Sequence, residues 1–150
     1  MNKSFRLQPL IELARQELDN AVKKLGELNR QKQEISSKLN MLMQYRQEYQ
    51  IRFEEAVKRG LNQTEWQNFQ HFFYKLDEAI DLQKRTQQEF TLVVEAGQIE
   101  YQERQKKLKS FETLAERHFA AEAAKAARKE QKEMDDFSNK SYLRKLRNED

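Results

Sequence analysis

The chain has 150 residues, the length of one modest domain, with 37% hydrophobic and 35% charged residues. Three glycines and one proline are too few for the tight turns of a barrel, a sandwich or an α/β fold, and the absence of cysteine removes disulfides, thiolate metal sites and a thiol nucleophile. The net charge of +3 comes from 28 basic and 25 acidic residues whose signs interleave, which is the pattern of a solvated helix surface and not of a nucleic-acid footprint. With a mean hydropathy of −1.07 and no long uncharged apolar run, no transmembrane helix is expected. The opening Met1-Asn2-Lys3-Ser4-Phe5-Arg6 has no apolar stretch of the kind a signal peptide carries.

In chain order, the first element begins near Pro9, a residue suited to a helix's first turn because its missing N–H is unpaired there anyway. Steps of three and four from Ile11 then reach Ala14, Leu18, Ala21, Leu25, Leu28, Lys32, Ile35, Leu39, Leu42, Arg46, Tyr49, Phe53 and Ala56. All but Lys32 and Arg46 are apolar, and a 3.5-residue repeat held this long is a coiled-coil seam. This predicts helix 1 at about 9–58. The stretch 59–62 carries a stop and a start signal in succession. Gly60 suits the left-handed end of a helix, and Asn62 with Glu65 three residues later makes a variant capping box. Leu61 and Trp66 have the spacing of a hydrophobic staple.

Helix 2 is predicted at about 63–137. Its seam runs Trp66, Phe69, Phe73, Leu76, Ile80, Gln83, Gln87, Phe90, Val94, Gly97, Tyr101, Arg104, Leu108, Phe111 and Ala115, wetter in the middle than that of helix 1. A reversal at 60–61 makes the numbers of facing residues sum to about 121, so Lys32 faces Glu89 and Arg104 faces Glu17. The expected architecture is all-α: one domain over 1–150, an antiparallel coiled-coil hairpin whose second helix overhangs the first beyond about residue 112. The overhang is rich in alanine from Ala120 to Ala127, which gives high helix propensity and little apolar area. A frayed tail and a thin helix projecting into a narrow protein cavity fit that composition equally well. Residues 138–150 are read as a flexible basic tail.

No catalytic constellation is present. His71 and His118 lack the spacing of a helical zinc site, the three glycines are isolated from one another, and nothing implies a cofactor or a small-molecule substrate. A non-enzyme is expected. Near the turn, however, the apolar residues exceed what one seam can cover. On the expected register Leu42 lies level with Ala79, Tyr45 with Leu76, and Tyr49 with Phe72, giving a patch along one flank of the hairpin. Patches of aromatic residues and methionine mark protein partners, although ordinary hairpin packing and self-association through the same residues also fit the pattern.

The stretch Leu39-Asn40-Met41-Leu42-Met43-Gln44-Tyr45-Arg46-Gln47-Glu48-Tyr49, then Gly60 and Trp66-Gln67-Asn68-Phe69-Gln70-His71-Phe72, resembles the bacterial flagellar FliJ proteins. Phe5-Arg6-Leu7-Gln8-Pro9-Leu10 and Lys132-Glu133-Met134-Asp135-Asp136-Phe137 extend the resemblance over nearly the whole chain. It implies a cytoplasmic component of the flagellar type III export apparatus, a coiled coil similar to the central stalk of rotary ATPases. Such a protein, monomeric on its own, sits at the cytoplasmic face of the inner membrane through protein partners. Those partners are the hexameric export ATPase, bound through the end carrying the termini, the cytoplasmic domain of the transmembrane export gate, and export chaperones. The resemblance places the gate contact on Leu42, Tyr45, Tyr49, Phe72, Leu76 and Ala79. Lys38 and Gln83 depart from the family pattern at the polar ends of that surface. Two other functions fit the residues: a chaperone or chaperone escort for export substrates, and a plain coiled-coil oligomerisation protein.

Overall fold

The computed structural model describes the backbone of residues 3–149 and the side chains of residues 6–148. Met1, Asn2, Asp150 and the side chains of Lys3, Ser4, Phe5 and Glu149 lie outside the described residues. Two helices are present, α1 over Lys3–Arg59 and α2 over Gln63–Glu149, with no strand among the described residues. They pack against each other in antiparallel sense, as the short reversal between them requires.

The reversal is built as the caps predict. Gly60 takes φ of 102°, a conformation in which a Cβ would be strained, and its N–H donates to the carbonyls of Ala56 at 3.0 Å and Val57 at 3.2 Å. Asn62 then opens α2: its Oδ1 accepts from the Glu65 N–H at 2.8 Å, and its Nδ2 donates to Glu65 Oε1 at 3.2 Å. One helix-start N–H that otherwise has no intrahelical partner is thereby satisfied, and the side-chain pair holds the cap in place.

Both helices are longer than the sequence signals suggest. Helix α1 starts at Lys3, not near Pro9, so Pro9 sits inside the helix, where its missing N–H leaves the residue-5 carbonyl without the usual bond. Good helix formers on both sides, Leu7, Gln8, Leu10 and Glu12, carry the helix across it. At the other end α2 continues through Ser138-Asn139 to Glu149, and 138–149 is helical in place of the expected flexible tail. Serine and asparagine disfavour a helix interior only mildly, and Lys140, Leu143, Arg144, Lys145, Leu146 and Arg147 favour it.

The chain divides into two compact units. The first joins Met1–Leu18 to Arg104–Asp150. Within it Ile11 and Ala14 are buried, and Glu17 bridges Arg104 at 3.1 Å and Lys107 at 3.5 Å, while Arg15 meets Glu112 at 3.5 Å. The Glu17–Arg104 pair is the one the register predicts. Because α1 begins six residues early, half-buried positions continue through Thr113, Ala115 and His118, beyond the expected limit at 112. Residues 119–148 are exposed throughout.

The second unit, Asp19–Glu103, contains the turn and most of the seam. Ala21, Leu39, Ala56, Phe73, Leu76, Ile80 and Val94 are buried there, on the predicted heptad positions. Lys32 is an exception. It is exposed, Gln31 is half-buried in its stead, and Lys32 and Glu89 form no ion pair among the described residues. A shift of one residue at that step keeps the ammonium in water and puts an amide near the seam. Trp66, another predicted seam position, is 47% exposed and packs only one side of its ring, on Phe53 at 5.5 Å.

The polar seam positions are paired. Gln83 Nε2 donates to the Ile35 carbonyl at 3.1 Å, and Gln87 Nε2 to Ser36 Oγ at 3.0 Å. Gly97 lies close under α1: a Cβ there would lie 2.8 Å from Leu28 Cδ1, so the tip of Leu28 would have to shift. Gly26 has no such role, since a Cβ there would meet nothing within 4 Å.

Two stability predictions follow from this packing. Leu39→Asp places an unpaired carboxylate in the seam and is expected to cost about 3 kcal/mol in urea unfolding, whereas Lys24→Ala, which removes an exposed ion pair to Glu100, changes it by no more than about 0.5 kcal/mol. Gly26→Ala is expected to stabilise by about 1 kcal/mol through helix propensity alone. Gly97→Val, which must displace Leu28, is expected to destabilise by about 1–3 kcal/mol. The same sign for both glycine variants in thermal unfolding contradicts the packing described.

Candidate partner-binding surface

The six residues singled out as a flank patch all lie in the second unit, on α1 (Leu42, Tyr45, Tyr49) and α2 (Phe72, Leu76, Ala79). They come together because α1 presents residues at spacings of three and four, and α2 returns at the same level after the turn. Phe72 is the hinge between the two rows. Its ring lies 4.2 Å from that of Tyr49, tilted by 47°, and meets Tyr45 edge-on at 5.8 Å, the latter a favourable aromatic geometry. Tyr49 also touches Phe69 at 5.1 Å and Phe73 at 5.3 Å, so one side of the patch merges into the seam.

Exposure separates the six. Tyr45 is 43% exposed. Leu42, Tyr49, Phe72 and Ala79 are half-buried, and Leu76 is buried at 6%. Leu76 therefore supports the patch from beneath and offers a partner almost no surface. Conversely, Met41 is 69% exposed and lines a shallow groove with Lys38, Leu42, Gln44, Tyr45 and Glu48. The signal for Met41 was present in its position beside Leu42, but a heptad reading assigns it to neither helix's seam. Lys38 stands at the rim of this groove, while Gln83 is turned inward to the Ile35 carbonyl. Of the two polar positions at the patch's ends, one is thus available and one is occupied.

A second groove in this unit has a different chemistry. It is lined by Met43, Arg46, Asp77, Ile80, Asp81 and Lys84, among others. Arg46 Nε donates to Asp77 Oδ1 at 2.6 Å, and its guanidinium carbon stands 5.2 Å from the centre of the Phe73 ring. The Asp77 hydrogen bond holds the Arg46 guanidinium above its ordinary pKa, and the pair closes the seam on that side with charge. The aromatic flank has no such cover.

Among the described residues no group of three or more His, Asp or Glu side chains is placed to hold a metal ion, and no helix is long and apolar enough to cross a membrane. His71 is exposed, and His118 lies near the Phe119 ring at 6.3 Å.

Comparison with known proteins gives this geometry a context. A family model described as flagellar FliJ protein matches residues 2–147. The chain is 31% identical over 139 residues to a flagellar FliJ protein of Salmonella typhi and 30% identical over 139 residues to one of Escherichia coli strain K12, each alignment covering 93% of this chain and 95% of the relative. It is also 27% identical over 148 residues to a flagellar FliJ protein of Bacillus subtilis strain 168, covering 95% of this chain and 97% of that protein. With a match over nearly its full length, the chain belongs to the flagellar FliJ family, non-catalytic coiled-coil components of flagellar protein export.

Proposed function

We propose that this chain couples the flagellar export ATPase to the transmembrane export gate, using separate surfaces for the two. The aromatic flank at Tyr45 takes the cytoplasmic domain of the gate, and the exposed part of α2 beyond residue 118 takes the ATPase hexamer. The coupling takes place in the cytoplasm, at the inner face of the membrane, and export chaperones are further partners. The observation that carries this reading is the flank itself. In a chain with 35% charged residues, an edge-on Tyr45–Phe72 pair beside an exposed Met41 is left uncovered, although the other side of the seam is closed by Arg46 and Asp77. Aromatic and methionine side chains held on a rigid helix supply large contact area at small entropic cost, as interface anchors do.

The assignment within the patch follows exposure. Tyr45 is the main anchor, with Met41, Leu42 and the exposed edge of Phe72 beside it. Tyr49 and Ala79 complete the contact surface, and Leu76 holds the Phe72 side of it in place. The long exposed segment 119–148 supports the ATPase contact, because it is helical with no side chain buried against α1. Small alanine side chains let such a helix approach closely to the walls of a cavity.

Binding of purified gate domain and ATPase to variant chains tests both surfaces. Tyr45→Ala with Met41→Ala is expected to preserve helicity and melting temperature, retain ATPase binding and weaken gate binding by at least about tenfold, the usual scale for loss of an aromatic anchor. Phe72→Ala is a less clean probe: its ring packs on Tyr49, and its removal is expected to cost about 2 kcal/mol of stability as well. Full gate binding by the folded Tyr45/Met41 variant removes the flank from this role and leaves it to export substrates, their chaperones or self-association.

Truncation before residue 119 tests the other surface. The shortened protein is expected to unfold with the same midpoint as the full chain, since 119–148 contributes no buried side chain. It is expected to lose ATPase binding and stimulation. Undiminished stimulation of ATP hydrolysis by the truncated chain excludes the segment from the contact.

A further inference from the structure

On α2, residues 86–103 contain four glutamates and no lysine or arginine. The buried side of this stretch is the seam, with Val94 3% exposed, Gly97 buried and Tyr101 half-buried. The outward side carries a second repeat of its own. Glu89, Leu92, Ala96, Ile99 and Glu103 follow one another at alternating steps of three and four, so they share one face. Leu92 is 66% exposed and Ile99 56%, and Ala96 is exposed between them. The hairpin needs none of these three side chains: its seam is complete on the other side of the helix.

Charge decides what fits here. Glu100 is paired with Lys24 at 3.0 Å, but Glu89, Glu95 and Glu103 make no ion pair among the described residues, and all three are exposed on or beside the apolar stripe. A second copy of this chain is a poor occupant. Antiparallel pairing centred on Ala96 sets Leu92 against Ile99 of the second copy, yet it also sets Glu89 against Glu103, and parallel pairing sets each glutamate near its own equivalent. Like charges across a helix pair oppose association, whereas opposite charges at flanking positions select the partner.

We infer that Leu92, Ala96 and Ile99, framed by Glu89, Glu95 and Glu103, form a docking stripe for an amphipathic helix of another protein that carries an apolar ridge flanked by lysine or arginine. The stripe shares no residue with the aromatic flank near the turn or with the exposed segment 119–148. The small Ala96 at its centre lets the incoming helix pack closely, and the unpaired carboxylates set its register.

The test uses the full-length chain and two synthetic helices of about three heptads, both with leucine at the seam positions, one with lysine and one with glutamate at the flanking positions. Fluorescence anisotropy is expected to show saturable binding of the lysine peptide that weakens as salt is raised, and at least about tenfold weaker binding of the glutamate peptide. Leu92→Ser with Ile99→Ser is expected to abolish binding of the lysine peptide while leaving helicity and melting temperature unchanged, because both side chains are exposed. Ile51→Ser, which removes an equally exposed apolar side chain elsewhere on the unit, is expected to leave binding intact. Equal affinity of the double variant, or equal binding of the two peptides, overturns the inference. So does a salt-sensitive dimer of the full chain that the double variant dissolves, which assigns the stripe to a second copy instead.

Discussion

A stripe only two residues wide per heptad is too narrow to make either helix stable alone, and the antiparallel seam is therefore the contact on which everything else depends. Each helix supplies half of the cover for the other's leucines, alanines and aromatics. The seam forms at this register because Gly60 and Asn62 reverse the chain within three residues, one ending α1 in a left-handed conformation and the other capping α2. A longer loop would leave the pairing free to slide by a heptad. A short one sets Phe53 against Phe69 and Tyr49 against Phe73 from the first turn onward.

The proposed partner surfaces follow from the same narrowness. Near the turn the side chains are bulky, and a two-helix seam cannot enclose Phe53, Tyr49, Phe69, Phe72 and Phe73 together. The surplus spills to one flank as Tyr45 and the open edge of Phe72, because Arg46 and Asp77 close the other. Toward the chain ends the seam thins to Ile11 and Ala14, and then α1 stops while α2 continues. What α2 presents beyond residue 118 is Phe119, then alanine and interleaved charge over 120–133, then exposed Met134, Phe137, Tyr142, Leu143 and Leu146.

Much of this was legible because heptads and caps are local signals. The twelve apolar seam positions of α1, the turn at Gly60 and the Glu17–Arg104 pair can all be read from spacing and composition. What could not be read were features set by competition between weak preferences. Pro9 carries a strong helix-start signal, yet six residues before it are long enough to add another turn and a half. Ser138-Asn139 resembles a stop, yet no glycine or proline enforces it. The exchange of Lys32 for Gln31 at the seam depends on local winding, to which a strict repeat is blind. Within the flank patch, residue numbering brought the six side chains together but not their depths. Leu76 is buried and Met41 exposed because side-chain direction, and not level along the hairpin, decides which atoms meet solvent.

The polar residues in the seam complete the argument about register. A row of leucine and alanine positions is nearly degenerate to a shift of seven residues, since one small apolar side chain packs much like another. Gln87 narrows that degeneracy: it donates to the Ser36 hydroxyl, which a slip in one direction would replace with Met43, whereas the Ile35 carbonyl that Gln83 uses has a backbone equivalent at every heptad. Gly97 acts in the same direction by sterics, because it makes room for Leu28, and a slip that set Ala21 there would leave a void. The wet middle of α2 thus lowers the apolar area of the seam but fixes its alignment. The flank patch requires that alignment, since a slip of one heptad would separate Tyr45 from Phe72 and dismantle it while leaving a coiled coil behind.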